Sequence, residues 1–342
     1  MEKEKVDELK TLLSQPKKVV IIPHRNPDGD AIGSTLALQQ YLQQCGHDAE
    51  VVAPNDFPDF LKWMPGVEEV VLFSNDPEKA KQLIEDADLI FTLDFNHFSR
   101  TGNGMEAVLD QTDTTYVMID HHQAPADYAT YTYSDTSISS TCQMIFHFLE
   151  MMEATDKITA DIATCLYVGI MTDTGSFRFA STTSTTHRVI ADLIDKGTKN
   201  SDIHQKVYDT NSTNRMQLLG VALNNMKVLP ELKTAYITLS QEELDTNTFK
   251  KGDTEGFVNY SLSIKGIVFA AIFIENKQDN IIKISLRSKG DFDVNQFARD
   301  HFSGGGHINA AGGKSDLSLD ETITSFESSL NNYKNELENA QE

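Results

Sequence analysis

Residues 17–44 read KKVVIIPHRNPDGDAIGSTLALQQYLQQ. The apolar, largely β-branched run Val19–Ile22 predicts a buried strand, and the segment from Asp30 onward predicts a helix. The turn between them crowds His24, Asp28 and Asp30 into seven residues. Moving outward, AEVVAP, ADLIFTLDF and TTYVMIDHH repeat the strand pattern, while ITADIATCLYVGIMTD (158–173) has helical periodicity. This alternation predicts an α/β domain: a parallel sheet with helices on both faces, over residues 1–190.

Three of the strands finish on acidic or histidine residues. VVIIPH reaches His24, Asp28 and Asp30; LIFTLD reaches Asp94; YVMID reaches Asp120, His121 and His122. In an open parallel sheet the carboxyl ends of the strands border one crevice, so these residues are expected to converge, with Asp173 added from the end of a helix. Each has a plainer explanation alone. Asp28 or Asp30 could cap the following helix, Asp94 and Asp120 could simply end strands, and His121 could be a surface histidine. Together they are harder to dismiss, because two like charges ~4 Å apart repel by about 4 kcal/mol at an effective dielectric of 20. Asp28, Asp30, Asp94 and Asp173 carry four negative charges, which two divalent cations would neutralise. Adding His24 and His121 gives mixed imidazole–carboxylate ligation, which suits Mn²⁺ best, with Mg²⁺ or Co²⁺ as alternatives.

The 342-residue chain is long enough for two domains, and it has 39% hydrophobic and 23% charged residues. No apolar stretch reaches the length of a membrane span, and the charged start MEKEKVDELK does not resemble a signal peptide; a cytoplasmic protein is expected. Cys45, Cys142 and Cys165 are scattered, as expected of reduced thiols. Lys and Arg number 29 against 51 Asp and Glu, a net charge of −22. That balance argues against binding long nucleic acid by counterion release, so an acidic substrate should be short and locally neutralised.

Residues 191–229 read as mainly helical and are expected to link the domains. Beyond them KTAYITLS, GIVFAAIFIEN and NIIKISLRSKG look like strands and DVNQFARDHF like a helix, so that 230–342 forms a smaller mixed α/β domain. SGGGHINAAGG breaks the pattern. In the tail, Ile323, Phe326, Leu330, Tyr333 and Leu337 fall on one helical stripe expected to dock on that domain.

HRNPDGDAIGS, LDFNHFSRTG, DHH and MTDTGSF resemble the four motifs of the DHH phosphoesterase superfamily. LRSKGDFDVNQFARDHFSGGGHINAAGG resembles the DHHA1 domain attached to many of its members. The likeness is greatest to the nanoRNase A-like oligoribonuclease and 3'-phosphoadenosine-5'-phosphate (pAp) phosphatase group. It implies one ion on His24, Asp28 and Asp94, a second on Asp30, Asp94, His121 and Asp173, and catalytic roles for Asp94, Asp120 and His122. Water activated by the two ions, not a side chain, would attack phosphorus. Arg100, Arg287, Ser288, Gly304, Gly305, Gly306 and His307 are implied to bind substrate, the second domain holding the nucleotide and the helical linker allowing closure. The substrates implied are bisphosphonucleosides, pAp giving AMP, and single-stranded RNA or DNA of about 2–5 nucleotides cut to 5'-mononucleotides, in keeping with the acidic balance. Long duplexes and membranes are not expected partners; a homodimer is compatible with the sequence. The alternatives are hydrolysis of linear or cyclic dinucleotide signals and a non-catalytic nucleotide-sensing module.

Overall fold

A computed structural model describes residues 1–340; the last two residues of the expected second domain lie outside the described residues. The chain folds as two compact units, Met1–Thr210 and Asn211–Glu342.

In the first unit, helix α1 (Lys3–Leu12) precedes β1 (Lys18–Ile22), α2 (Gly29–Gln44), β2 (Asp48–Ala53), β3 (Val71–Leu72), α3 (Pro77–Glu85), β4 (Leu89–Leu93) and α4 (Asn103–Leu109). Then come β5 (Thr115–Asp120), β6 (Tyr131–Ser134), α5 (Thr141–Met151), α6 (Ala160–Asp173), α7 (Ser184–Asp195) and α8 (Asn200–Tyr208). The six strands form one sheet in the order β3-β2-β1-β4-β5-β6, with every pairing parallel. Side-chain alternation splits its core as expected. Val19, Ile21, Leu89, Phe91 and Ile119 pack under α2, α5 and α6, whereas Val20, Ile22 and Ile90 meet Ala80 and Ile84 of α3 and Met105 and Leu109 of α4. Strand order reverses between β1 and β4, and a crevice opens at the carboxyl ends of strands that diverge in this way.

Helix α2 is buried almost all round, because α5 and α6 lie against the side that faces away from the sheet. Close packing there depends on Gly169 of α6: a Cβ at that position would run into Cys142 Sγ and lie 2.8 Å from Asp30 Oδ1.

The second unit holds α9 (Thr213–Asn224), β7 (Lys227–Leu229), β8 (Thr234–Leu239), α10 (Gln241–Thr246), α11 (Phe257–Leu262), β9 (Phe269–Asn276) and β10 (Ile281–Ser288). It ends with α12 (Val294–His301), β11 (Gly305–His307), β12 (Ala310–Ser315), α13 (Leu319–Leu330) and α14 (Lys334–Asn339). Its sheet runs β11-β12-β10-β9-β8-β7; β8 and β9 are parallel and the other neighbours antiparallel. One face packs Phe269 and Phe273 on Phe297 and Phe326, and the other packs Ala270 and Ile272 on α9 and α11.

Three details differ from the sequence reading. SGGGHINAAGG contains a β-hairpin, β11 and β12, and does not merely interrupt the pattern. The tail is not one helix: a 3-10 turn at Asn331–Tyr333 separates α13 from α14, and Phe326, Leu330 and Leu337 are buried in their own unit as expected. Of residues 191–229, the part through Val207 contributes Leu193, Ile203 and Val207 to the first core, whereas Leu218, Leu219 and Ala222 belong to the second unit's. Among the described residues no helix is long and apolar enough to cross a membrane.

Candidate metal centre and active site

The acids and histidines predicted at the strand ends do meet. Asp94 follows β4 with a positive φ of 66°, a conformation uncommon outside glycine and more tolerable for Asp than for most residues. The residue is 2% exposed, and its carboxylate divides its two oxygens between two neighbourhoods. Oδ2 lies 3.4 Å from His24 Nε2, and Oδ1 lies 3.3 Å from His121 Nε2. Asp28 stands on the His24 side, its Oδ2 3.9 Å from His24 Nε2, while its Oδ1 caps α2 by accepting the amides of Asp30 and Ala31 at 3.0 and 3.1 Å. Cap and neighbour of His24 are therefore both true of Asp28. Asp30 and Asp173 stand on the His121 side, 3.7 and 3.6 Å from Nε2.

Both imidazoles are oriented through the opposite nitrogen. His24 Nδ1 donates to the Arg25 carbonyl at 2.9 Å and His121 Nδ1 to the Ile138 carbonyl at 3.3 Å. A carbonyl only accepts, so Nδ1 carries the hydrogen and neutral Nε2 presents a lone pair to carboxylate oxygens. Acceptor facing acceptor calls for a cation between them. A proton can be that cation. Burial works against charge on His24, yet the hydrogen bond to Asp94 and the charges of Asp28 and Asp94 raise its pKa. His121 shows the same balance more strongly: burial opposes protonation, and Asp94, Asp173 and Asp30 together lift it well above the usual value. Burial also penalises the Asp94 anion, but hydrogen bonds with His121 and His24 hold its pKa well below the carboxylate range. Asp30 moves oppositely; burial, then the charges of Asp94 and Asp173, push it well up.

His24, Asp28 and Asp94 offer ligand atoms within 4.8 Å of one another, as do Asp30, Asp94 and His121. Two carboxylate-rich groups sharing one aspartate, each completed by an imidazole directed by a main-chain carbonyl, fit a pair of divalent cations.

Asp120, at the end of β5, is fully buried, and its Oδ1 lies 2.7 Å from His122 Nδ1. It thus orients His122, which also stands 3.7 Å from Asp94 Oδ1. Arg100 lies in the turn after Asp94; its carbonyl accepts the Arg25 amide at 2.7 Å, and its charge opposes protonation of His24. Sequence reasoning missed Thr141, whose hydroxyl donates to Asp94 Oδ1 at 3.0 Å and whose amide donates to Asp30 Oδ2 at 2.6 Å.

In the second unit, the registers Arg287–Ala310 and Ala310–His307 place arginine and histidine in one row of the sheet. Residues in register point to the same face, so the two lie about 10 Å apart across a small alanine. Ser288 is buried, its hydroxyl donating to the Phe292 carbonyl at 2.6 Å and accepting from Asn309. The glycines permit close backbone approach within the unit. The Gly304 amide donates to the Ala298 carbonyl and that of Gly306 to Asn295 Oδ1, and a Cβ on Gly306 would sit 2.5 Å from the Ala310 carbonyl oxygen. Gly305 pairs with Gly312 across the hairpin.

A family model for the N-terminal domain of the DHH family matches residues 18–170, and one for the DHHA1 domain matches 234–336. A bifunctional oligoribonuclease and PAP phosphatase, NrnA, from Thermus thermophilus is 32% identical over 86% of this chain and 83% of its own. The chain belongs to the DHH and DHHA1 family. The cyclic-di-AMP phosphodiesterase PdeA of Listeria monocytogenes is 27% identical over 95% of this chain, which spans 49% of that longer protein. Among solved structures, an exopolyphosphatase-related protein from Bacteroides fragilis superposes with a TM-score of 0.94, at 40% identity over 98% of both chains. Family membership makes this DHH–DHHA1 chain a hydrolase of the phosphoesterase class.

Proposed function

We propose that this phosphoesterase uses two divalent cations, Mn²⁺ foremost, to hydrolyse very short oligonucleotides to 5'-mononucleotides and pAp to AMP. The observation that carries the reading is the sharing of Asp94 between two groups whose histidine Nε2 atoms both face carboxylates. His24, Asp28 and Asp94 would hold one ion, and Asp30, Asp94, His121 and Asp173 the other. When bound, such a pair supplies Lewis acidity for in-line attack by water on phosphorus. His122, oriented by Asp120, is the group to meet a phosphate or leaving oxygen. Arg100 offers a donor for phosphate in the first unit, and Arg287 and His307, in one row of the second unit's sheet, offer phosphate donors of their own there. The net charge of −22 repels a long polyanion, which supports a short substrate.

Likeness to a cyclic-di-AMP phosphodiesterase favours a second reading, in which a cyclic dinucleotide signal is the substrate. Purified protein with Mn²⁺, assayed against pAp, a linear dinucleotide, a pentanucleotide RNA, a cyclic dinucleotide and pyrophosphate, separates the two. Turnover of pAp and the linear oligonucleotides ahead of the cyclic one supports the first reading. Preference for the cyclic dinucleotide overturns it in favour of the second, and tight binding of pAp without cleavage points to a sensing module.

A further inference from the structure

The segment Ser139–Cys142 belongs to none of the motifs that bring the acids together, yet it touches two of them. Ser140 caps α5, and the first two amides of that eleven-residue helix have no intrahelical acceptor. The Thr141 amide donates to Asp30 Oδ2 at 2.6 Å and the Cys142 amide to Asp30 Oδ1 at 2.8 Å. Each oxygen of Asp30 thereby spends one lone pair on the positive end of a helix, and the plane of the carboxylate is fixed. Any residue would supply those two amides. The hydroxyl of Thr141 is the part that depends on the side chain, and it donates to Asp94 Oδ1 at 3.0 Å from a fully buried position. That oxygen is the one beside His121; the other, Oδ2, faces His24.

We infer that Thr141 is a positioning residue for the Asp30–Asp94–His121 half of the centre: its hydroxyl sets the orientation of Asp94 Oδ1 and thereby strengthens divalent-cation binding on that half selectively. The inference rests on the two-ion reading above. It acts through Asp94 and requires no contact between Thr141 and an ion or substrate.

The test uses the full chain, Mn²⁺ alone as probe and no substrate, with binding followed by electron paramagnetic resonance and calorimetry. Thr141→Val keeps the shape and both backbone donors but loses the hydroxyl; Thr141→Ser keeps the hydroxyl. Wild type is expected to bind two ions. Thr141→Val should weaken one of them roughly 10–100-fold, as loss of a partner that orients a ligand typically does. The other ion should stay within about threefold, and Thr141→Ser should keep both near wild type. Thr141→Ala, which lacks the β-branch, repeats the comparison should the valine variant fail to fold. Two unaltered ions in the valine variant, equal weakening of both, or a serine variant as weak as the valine one would each overturn the assignment of Thr141 alone. A wild-type chain that binds fewer than two ions would overturn the two-ion reading itself, and the inference with it.

Discussion

Asp94→Asn keeps the shape of the shared carboxylate and removes its charge, and the surroundings decide how the amide lies. The Thr141 hydroxyl donates to Oδ1, so the amide oxygen belongs there and the NH₂ group takes the place of Oδ2, 3.4 Å from His24 Nε2. Because His24 Nδ1 already donates to the Arg25 carbonyl, its Nε2 accepts from that NH₂, and the lone pair meant for an ion is used internally. The His24–Asp28 half should therefore close, whereas the Asp30–His121 half keeps a neutral oxygen. Removing one member of a buried charge pair costs about 3–5 kcal/mol, which at 1.4 kcal/mol per tenfold corresponds to roughly a hundred- to four-thousandfold in ion affinity. Dialysis against Mn²⁺ with metal analysis should find one ion per chain at concentrations that load wild type with two. With pAp or a linear dinucleotide as substrate, kcat/KM should fall by at least about a thousandfold, since attack and leaving-group stabilisation both depend on the pair. Two ions bound with wild-type affinity, and kcat/KM within tenfold of wild type, would refute the reasoning.

Proton competition gives a second expectation. The pKa values of His24 and His121 are raised in the metal-free protein, so protons stay on Nε2 to higher pH and an ion must displace them. Mn²⁺ affinity, measured by calorimetry, should go on climbing as pH rises past the ordinary imidazole range and level off only above the raised values, with proton release that shrinks as pH rises. Gly169→Ala, placing a methyl against Cys142 and Asp30, should cost about 1–3 kcal/mol of stability in denaturant titrations. Arg287→Ala should raise KM about tenfold while kcat stays within about twofold, the signature of lost binding common to ground and transition states; a fall in kcat alone would contradict a positioning role.

The first unit was legible because its strands are buried on both faces and read as continuous apolar runs, each stopping abruptly at the acids that line the crevice. Val19–Ile22 followed by His24, and Leu89–Leu93 followed by Asp94, carry both messages in a few residues. The hairpin of β11 and β12 escaped notice because its residues are mostly Gly and Ala, selected for close backbone approach and not for β-propensity. β6 is only four residues, Tyr-Thr-Tyr-Ser, too short a run to announce a strand although Tyr131 and Tyr133 reach the core and the strand pairs with β5. The continuous tail helix was overpredicted because the apolar stripe carries through Asn331 and Asn332, where the backbone tightens into a 3-10 turn. Thr141 was invisible for another reason. Ser-Ser-Thr announces a helix start, but nothing local says that the first amide will meet a carboxylate 111 residues earlier.

Asp28 gives one oxygen to the opening amides of α2 and turns the other toward His24, with nearly half of its side chain in contact with solvent. The sixteen-residue helix behind it runs through the middle of the first core, so ion loading and the fraying of a central helix draw on the same small group. Hydrogen exchange at the Asp30 and Ala31 amides would consequently report occupancy of the crevice from inside the protein, without any label on ion or nucleotide.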